Sequence, residues 1–412
     1  MINLLRVPPL LGGMILGFAM NSCPAAPGHT EGSPKAETGA DRPNLFGISL
    51  LVKLMADQTK ENIVISPFSL ELALGMVYVG CSGTSADELG RVVGFGSREV
   101  ILPGMNLSSA LPPTITLKIA NSLWCDRSTK LRPTFEAKVK DLFNPQIESV
   151  DLETAGTTKA INDWVAKATE NRITNLVQQP PKPPLVLIDS VYFKGSWQQA
   201  FSAAQDFPAQ FNREHKGPCQ VTMMKRSLSA PYLETDVFQA IKLPYNGGLE
   251  MLLILPAKGT DLNAVLQNMC QSGSDLSNGS WKQTLTEFSQ TPGTISLPRF
   301  EATYSNSLVS PLAQLGIKAL FEPSTDFATM FADARKFYVS SIIQQTYLRV
   351  DENGSEAAAA TKVQIEPLAM PRPSKQPFNL VFDHPFFFAI IDNKSGQLIF
   401  AGVLRNPDQA KL

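Results

Sequence analysis

The chain has 412 residues, of which 43% are hydrophobic and 18% are charged, as is usual for a folded globular protein. Its formal net charge is −1, so the overall charge gives no indication of nucleic acid or of another strongly charged partner. The five cysteines are widely and irregularly spaced without a Cys-x-x-Cys pair, which predicts neither a zinc site nor a disulfide framework. Cys81 and Cys125 lie among apolar residues and are predicted to be core residues.

The N-terminal segment has the features of an export signal. Arg6 precedes an apolar run from Val7 to Met20, which is too short to span a bilayer and typical of the core of a signal peptide. We therefore predict a signal peptide over residues 1–22, a flexible leader over residues 23–41, and a secreted or extracytoplasmic protein. A lipoprotein anchor on Cys23 stays open, although the methionine and asparagine shortly before it fit a lipoprotein cleavage box poorly.

Three helices are predicted in the first half of the chain. Between Leu45 and Met55, apolar residues recur at spacings of three and four, which is the helical period. A second, apolar helix is predicted over residues 69–79. A third follows Thr158, with Ile161 and Trp164 on one face.

Buried strands are predicted mainly in the second half of the chain. Residues 185–193, 249–255 and 386–391 form apolar runs without helical periodicity. Helices followed by strands, rather than a regular alternation of the two, predict an α+β fold instead of a doubly wound sheet.

Residues 351–377 form an interval that is long for a loop inside a compact chain. Every second residue from Ser355 to Ile365 is small or apolar, whereas the interleaved residues from Glu356 to Glu366 are mostly polar or charged. This period of two is typical of a strand with one buried face, yet the four successive alanines favour a helix. Two interpretations stay open: a surface helix or linker, or a segment that is exposed first and becomes a sheet strand later. In the second, small side chains would let the segment enter between strands that are already packed.

The stretch from Val339 to Thr361 resembles the strand and hinge of an inhibitory serpin. Further motifs similar to those of the family follow its order along the chain, among them Asn62–Ser69, Tyr192–Trp197, Leu297–Phe300 and Asp383–Phe386. The resemblance covers residues 42–408. It implies a single α+β domain with the serpin fold, in which three β-sheets and eight to nine helices carry an exposed reactive-centre loop over residues 352–377.

The resemblance also implies a function and a hinge. A serine protease attacks a bond in the loop and forms an acyl-enzyme, and the cut loop then inserts into the central sheet as a new strand and traps the protease. The chain would thus be a suicide-substrate inhibitor and not an enzyme, monomeric, with the target protease as its covalent partner and no cofactor, metal or nucleic acid. The implied hinge consists of Glu352, Gly354, Ser355, Glu356, Ala357, Ala358, Ala359, Ala360 and Thr361.

The bait bond follows from the family's usual spacing. Counting from Gly354 as the hinge glycine places the bond at Leu368–Ala369, and Ala369–Met370 stays open as the neighbouring alternative. The bonds beyond these are followed by proline at residues 371 and 373, which most serine proteases do not cleave. Leu368 would suit a chymotrypsin-, elastase- or subtilisin-like target.

Two further groups of residues take their roles from the resemblance. Ser66, Ser69, Asp189 and Gln344 would lie beneath the central sheet, where it opens for the loop. Many serpins have His and Asn at the positions of Gln344 and Asp189, so we hypothesise that Gln344 donates a hydrogen bond to Asp189. At the top of the sheet, called the breach, Glu352 and Arg299 would pair close to Trp197.

Rival functions are a hydrolase, a non-inhibitory serpin and a heparin-activated inhibitor. A hydrolase is not predicted, because the chain has three histidines, one of them in the leader, and lacks the GxSxG and HExxH motifs. A serpin that acts as a carrier, chaperone or storage protein is the serious alternative, but such proteins usually have bulky or charged hinge residues. No heparin site is predicted, since Arg98 is the one basic residue in the expected region, 97–112.

Overall fold

Eight α-helices occur in the part of the chain that the computed structural model describes, which is residues 42–56, 62–96, 111–214, 216–270, 281–333, 335–355 and 376–407. They are α1 (Arg42–Met55), α2 (Pro67–Tyr78), α3 (Gly83–Val93), α4 (Pro133–Phe143), α5 (Ala155–Ala168), α6 (Leu262–Met269), α7 (Trp281–Thr286) and α8 (Val309–Gln314). The three helices predicted from the sequence are confirmed as α1, α2 and α5. All described residues belong to one compact unit, Thr38–Leu412.

The start of α2 illustrates how local sequence sets these boundaries. Ser66 is the N-cap residue, and its side chain accepts a hydrogen bond from the backbone N–H of Ser69 at 3.3 Å. Pro67 occupies the first turn, where a missing N–H and a fixed φ angle do no harm. The cap fixes where α2 begins, directly after a buried strand.

Besides two short 3-10 helices, Ala203–Gln205 and Ala319–Phe321, the described secondary structure contains fifteen strands. They are β1 (Asn62–Ile65), β2 (Ile115–Asp126), β3 (Gln146–Val150), β4 (Leu185–Ser196), β5 (Phe207–Arg213), β6 (Gly217–Glu234), β7 (Phe238–Pro244), β8 (Leu249–Pro256), β9 (Ser289–Pro298), β10 (Phe300–Ser307), β11 (Ser341–Val350), β12 (Gly354–Ser355), β13 (Phe378–Val381), β14 (Phe386–Asp392) and β15 (Leu398–Leu404). The predicted strands over 185–193, 249–255 and 386–391 are confirmed as β4, β8 and β14.

The described strands form two hydrogen-bonded networks. The six-stranded sheet has the order β10-β11-β4-β2-β3, with the short β12 paired to β4. The nine-stranded network has the order β1-β15-β14-β8-β7-β6-β9-β13, with β5 paired to β6. The family resemblance implies three sheets. Two of them are continuous here because the 18-residue strand β6 pairs with β5 near its start and with β7 at its end.

The six-stranded sheet separates a large core from a small one. Along β4, Leu187, Val191 and Phe193 face the large core, which it shares with α1, α2 and the nine-stranded network. Val186, Ile188 and Tyr192 of the same strand face the small core beneath α5. Successive residues of β4 thus point to opposite, fully covered faces. Cys81 and Cys125 are buried in the large core, as predicted.

Candidate functional site

Two parallel strands are immediate neighbours at the centre of the six-stranded sheet. β4 and β11 pair directly over residues 186–192 and 341–347. We call this line of contact the seam. It is covered by α2 on one face and by α5 on the other, so any strand that entered it would have both faces buried.

A buried carboxyl group ties the two sides of the seam to α2. Asp189 of β4 accepts a hydrogen bond from the Ser69 hydroxyl and a second from Gln344 Nε2 of β11, the latter at 2.6 Å. The Gln344 side chain also donates to Ser66 O at 2.9 Å and accepts from Ser66 N at 3.0 Å. Burial raises the pKa of Asp189 to about 7, although the hydrogen bonds from Ser69 and Gln344 act in the opposite direction. The hypothesised hydrogen bond between Gln344 and Asp189 is therefore present in the structure.

The opposite face of the seam contains two polar oxygen atoms that are not paired. Gln345 lies directly opposite Ser190 in the strand register, and both residues are buried. Within the described part of the chain, Ser190 Oγ and Gln345 Oε1 have no hydrogen-bond partner. Such groups are rare in native proteins, because burial removes the hydrogen bonds that water would supply.

The start of the predicted hinge lies at the upper end of the seam, which is the end where Tyr192 pairs with Tyr347. After β11 the chain reverses through Asp351, and β12 then runs antiparallel to β4, with Gly354 opposite Ser196 and Ser355 opposite Gly195. Gly354 has a φ of +145°, and a Cβ atom at this position would lie 2.1 Å from the carbonyl oxygen of Gly195. Glycine is therefore required at residue 354 for two reasons, the backbone conformation and the close approach of β4.

Tyr245, just after β7, contacts the hinge from the nine-stranded network. Its hydroxyl oxygen lies 2.7 Å from Ser355 Oγ, and both side chains are buried. The Tyr245 ring stacks on Trp197, with the ring centroids 4.4 Å apart. Trp197 in turn donates from its backbone N–H to Asn353 O and from Nε1 to Asp351 O, both at 3.0 Å. One aromatic pair thus contacts both the reversal and the first hinge residues.

An ion cluster lies beside this reversal. Arg299 Nε donates to Glu352 Oε1 at 2.9 Å, and Arg299 Nη2 donates to Asp206 Oδ2 at 3.1 Å. Burial, together with the neighbouring Glu352, raises the pKa of Asp206 to about 6, although Arg299 acts in the opposite direction. Burial acts against ionisation of Glu352 as well, but the Arg299 guanidinium holds the pKa of Glu352 below its usual value. The backbone N–H of Phe201 also donates to Glu352 O at 2.8 Å, so this turn is held at both its side chain and its backbone.

The structure brings together the predicted site residues that it describes. Ser66, Ser69, Asp189 and Gln344 form one hydrogen-bonded group, while Trp197, Arg299 and Glu352 surround the reversal at the upper end. The hinge residues Glu356–Thr361 and the bonds at Leu368–Ala369 and Ala369–Met370 lie outside the described residues, as do the signal peptide, Cys23 and most of the expected heparin region. Sequence reasoning missed Asp206 and the role of Tyr245, because neither belongs to a local pattern that points to the hinge.

Comparisons with known proteins agree with this architecture. The family model described as Serpin (serine protease inhibitor) matches residues 41–407. An uncharacterised serpin-like protein of Thermococcus kodakarensis is 32% identical over 377 residues, which cover 88% of this chain and 84% of that protein. The human leukocyte elastase inhibitor is 30% identical over 375 residues, which cover 88% of this chain and 97% of that protein.

Solved structures show the same fold. Tengpin, a thermophilic serpin in its native state, aligns with a TM-score of 0.78 at 24% identity, covering 91% of this chain and 95% of that one. Native protease nexin-1, solved with heparin, aligns with a TM-score of 0.77 at 25% identity. The alignment covers 90% of this chain and 99% of that one. The family match over nearly the whole described chain, together with this fold, shows that the protein belongs to the serpin family of serine protease inhibitors.

Proposed function

We propose that the protein inhibits a chymotrypsin-, elastase- or subtilisin-like serine protease by forming a covalent acyl complex and inserting its cleaved loop into the seam. The bond cleaved is Leu368–Ala369, with Ala369–Met370 as the alternative, and the protein itself catalyses no reaction. The observation that carries this proposal is the pairing of Gly354 and Ser355 with the upper end of β4, because it defines the register for the rest of the loop.

Extending that register aligns the hinge with the two faces of β4. Ser355 lies opposite Gly195, so each further hinge residue meets the preceding residue of β4. Ala357, Ala359 and Thr361 would then lie opposite Phe193, Val191 and Asp189. Directly opposed residues in an antiparallel pair point to the same face, and these β4 residues face the large core. The small residues of the hinge are therefore those that this core would have to accommodate.

Two polar residues of the loop also find suitable neighbours in this register. Glu356 would lie opposite Lys194, which makes an opposite-charge pair across the strands. Thr361 would bring its hydroxyl group beside Asp189 and replace part of the hydrogen bonding that β11 supplies in the closed seam. Lys362 is the exception, because it would lie opposite Ile188, which is fully buried beneath α5.

A complex-formation assay tests the proposal. The full chain is mixed with chymotrypsin, pancreatic elastase, subtilisin and trypsin, and the products are examined for an SDS-stable complex and by mass spectrometry of the released peptide. We expect a complex with at least one of the first three and release of the peptide that begins at Ala369 or Met370. The matched control is Ala357→Glu, which places a charge on the core face and should be cleaved without forming a complex. Cleavage of the parent protein without any complex would instead indicate a non-inhibitory serpin.

We further propose that the protein is exported and acts as a monomer, without heparin. The N-terminal apolar run supports export. Among the described residues, no helix is long and apolar enough to cross a membrane. N-terminal sequencing of the mature protein should show cleavage near residue 22, and mass spectrometry should show whether Cys23 is acylated. An uncleaved N-terminus on the mature protein would contradict the export proposal.

A further inference from the structure

Two hinge residues already occupy a strand position in the intact protein. The pairing of β4 with β11 ends at Tyr192 opposite Tyr347, and just beyond it β12 pairs with the upper end of β4. Ser355 is fully buried there. In the intact protein these two residues thus already pair with the strand beside which the rest of the loop would insert.

The contact that holds Ser355 comes from a buried and closely packed tyrosine. Tyr245 is fixed by its backbone N–H, which donates to Leu249 O at 2.9 Å, and its ring packs between Trp197 at 4.4 Å and Phe193 at 5.2 Å. Its hydroxyl group is buried and needs a partner, which Ser355 Oγ supplies at 2.7 Å. The bond therefore joins the hinge to a tyrosine that is also held by Leu249 and Phe193, which lie outside the hinge.

We propose that Tyr245 is a positioning residue that keeps the hinge partly inserted at rest and thereby favours trapping over escape. After cleavage, the acyl-enzyme is either hydrolysed or trapped by insertion, and insertion must begin with ordering of the hinge. Ordering a residue opposes the process through lost conformational entropy. Because Gly354 and Ser355 are already ordered on β4, insertion starts from an existing nucleus. This inference rests on the proposed function for its consequence, but the position of the hinge is a separate, measurable property.

Hydrogen exchange of the intact protein tests the position of the hinge without any protease. Tyr245→Phe and Ser355→Ala each remove the same hydrogen bond, whose ordinary net contribution corresponds to roughly a fivefold change in an equilibrium constant. We expect each variant to raise exchange several-fold in the peptide that contains Gly354 and Ser355, and the double variant to add little to either one. The matched control is Tyr232→Phe, since the Tyr232 hydroxyl bonds to Glu234 at 2.9 Å and not to the hinge. Unchanged exchange in Tyr245→Phe, or an equal rise in Tyr232→Phe, would refute the proposal.

The stoichiometry of inhibition tests the consequence. With a protease that forms the covalent complex, Tyr245→Phe should need several-fold more inhibitor per protease molecule, because more acyl-enzyme escapes by hydrolysis, whereas Tyr232→Phe should match the parent protein. An unchanged stoichiometry despite faster exchange would overturn the effect on trapping. Absence of a complex with every protease would reject the proposed function, and the exchange experiment would still decide whether Tyr245 holds the hinge.

Discussion

Replacing Asp189 with asparagine should raise the free energy of unfolding at pH 8. It should also remove the decrease in stability that the Asp189 carboxyl group causes between pH 4 and pH 7. In the unfolded chain this carboxyl group titrates near 3.8, whereas burial raises its pKa to about 7 in the folded protein. As the pH rises from about 4 to 7, the unfolded chain therefore loses this proton before the folded protein does. The folded state is progressively disfavoured over this window, and above pH 7 the penalty is constant.

The size of the effect follows from that difference in pKa. A difference of about 3 units corresponds to about 4 kcal/mol. Asparagine keeps both contacts, because its oxygen accepts from Gln344 and its amide donates to Ser69, but a hydrogen bond to a neutral group is weaker by about 1 kcal/mol. We therefore expect a net gain on the order of 2–3 kcal/mol in the free energy of unfolding at pH 8.

Urea unfolding midpoints of the parent protein and of Asp189→Asn between pH 4 and pH 8 measure this effect. The parent midpoint should decrease over this range, and the variant should lie above it at pH 8 and close to it at pH 4. The exposed variant Asp163→Asn serves as the control for a general change of charge, because Asp163 lies on the exposed face of α5. A variant that is less stable than the parent at pH 8 would mean that the network stabilises the ionised carboxylate, and the reasoning would be wrong.

Three further changes have defined outcomes. Gly354→Ala should displace β12, because the added Cβ atom would lie 2.1 Å from Gly195 O, and the variant should be cleaved by the target protease with little complex on SDS gels. Lys362→Ala should lower the stoichiometry of inhibition, since in the proposed inserted register Lys362 would bring a charge to the face beneath α5; an unchanged stoichiometry would contradict the register. Arg226→Met should raise the free energy of unfolding measured in urea by about 1 kcal/mol, because burial lowers the pKa of Arg226 to about 10 and its Nε and Nη1 atoms have no hydrogen-bond partner among the described residues. A lower midpoint would indicate that the contact of this guanidinium with the Phe201 ring, 4.6 Å from the ring centroid, outweighs the cost of burying it.

Much of the framework follows from local sequence. The helical spacing in α1 and the apolar run of β4 determine their type, because each buries a face that its own periodicity defines. The pairing of Gln344 with Asp189 was also predictable, since a paired departure from the family pattern suggests a replaced hydrogen bond. The two elements could be predicted from one segment each, and the Gln344–Asp189 pair from two segments that both match motifs of the family.

Other parts of the site depend on contacts that no local pattern encodes. Tyr245 and Ser355 are 110 residues apart, and their bond exists because the nine-stranded network places one beside the other. Asp206 lies near a short 3-10 helix without a motif, and its raised pKa arises from burial and from Glu352 across the fold.

Among the described residues, the buried oxygen atoms Ser190 Oγ and Gln345 Oε1 have no hydrogen-bond partner, which affects the free energy of the closed seam. A buried polar group without a partner destabilises a folded protein by about 1–3 kcal/mol. The residues that carry these atoms lie opposite each other on β4 and β11, so both oxygen atoms are buried at the seam of the closed sheet. Moving the strands apart would free both groups to find partners. The tendency of the sheet to accept a new strand would then come partly from unsatisfied polar groups, and filling this face with apolar side chains should make the closed sheet more reluctant to open.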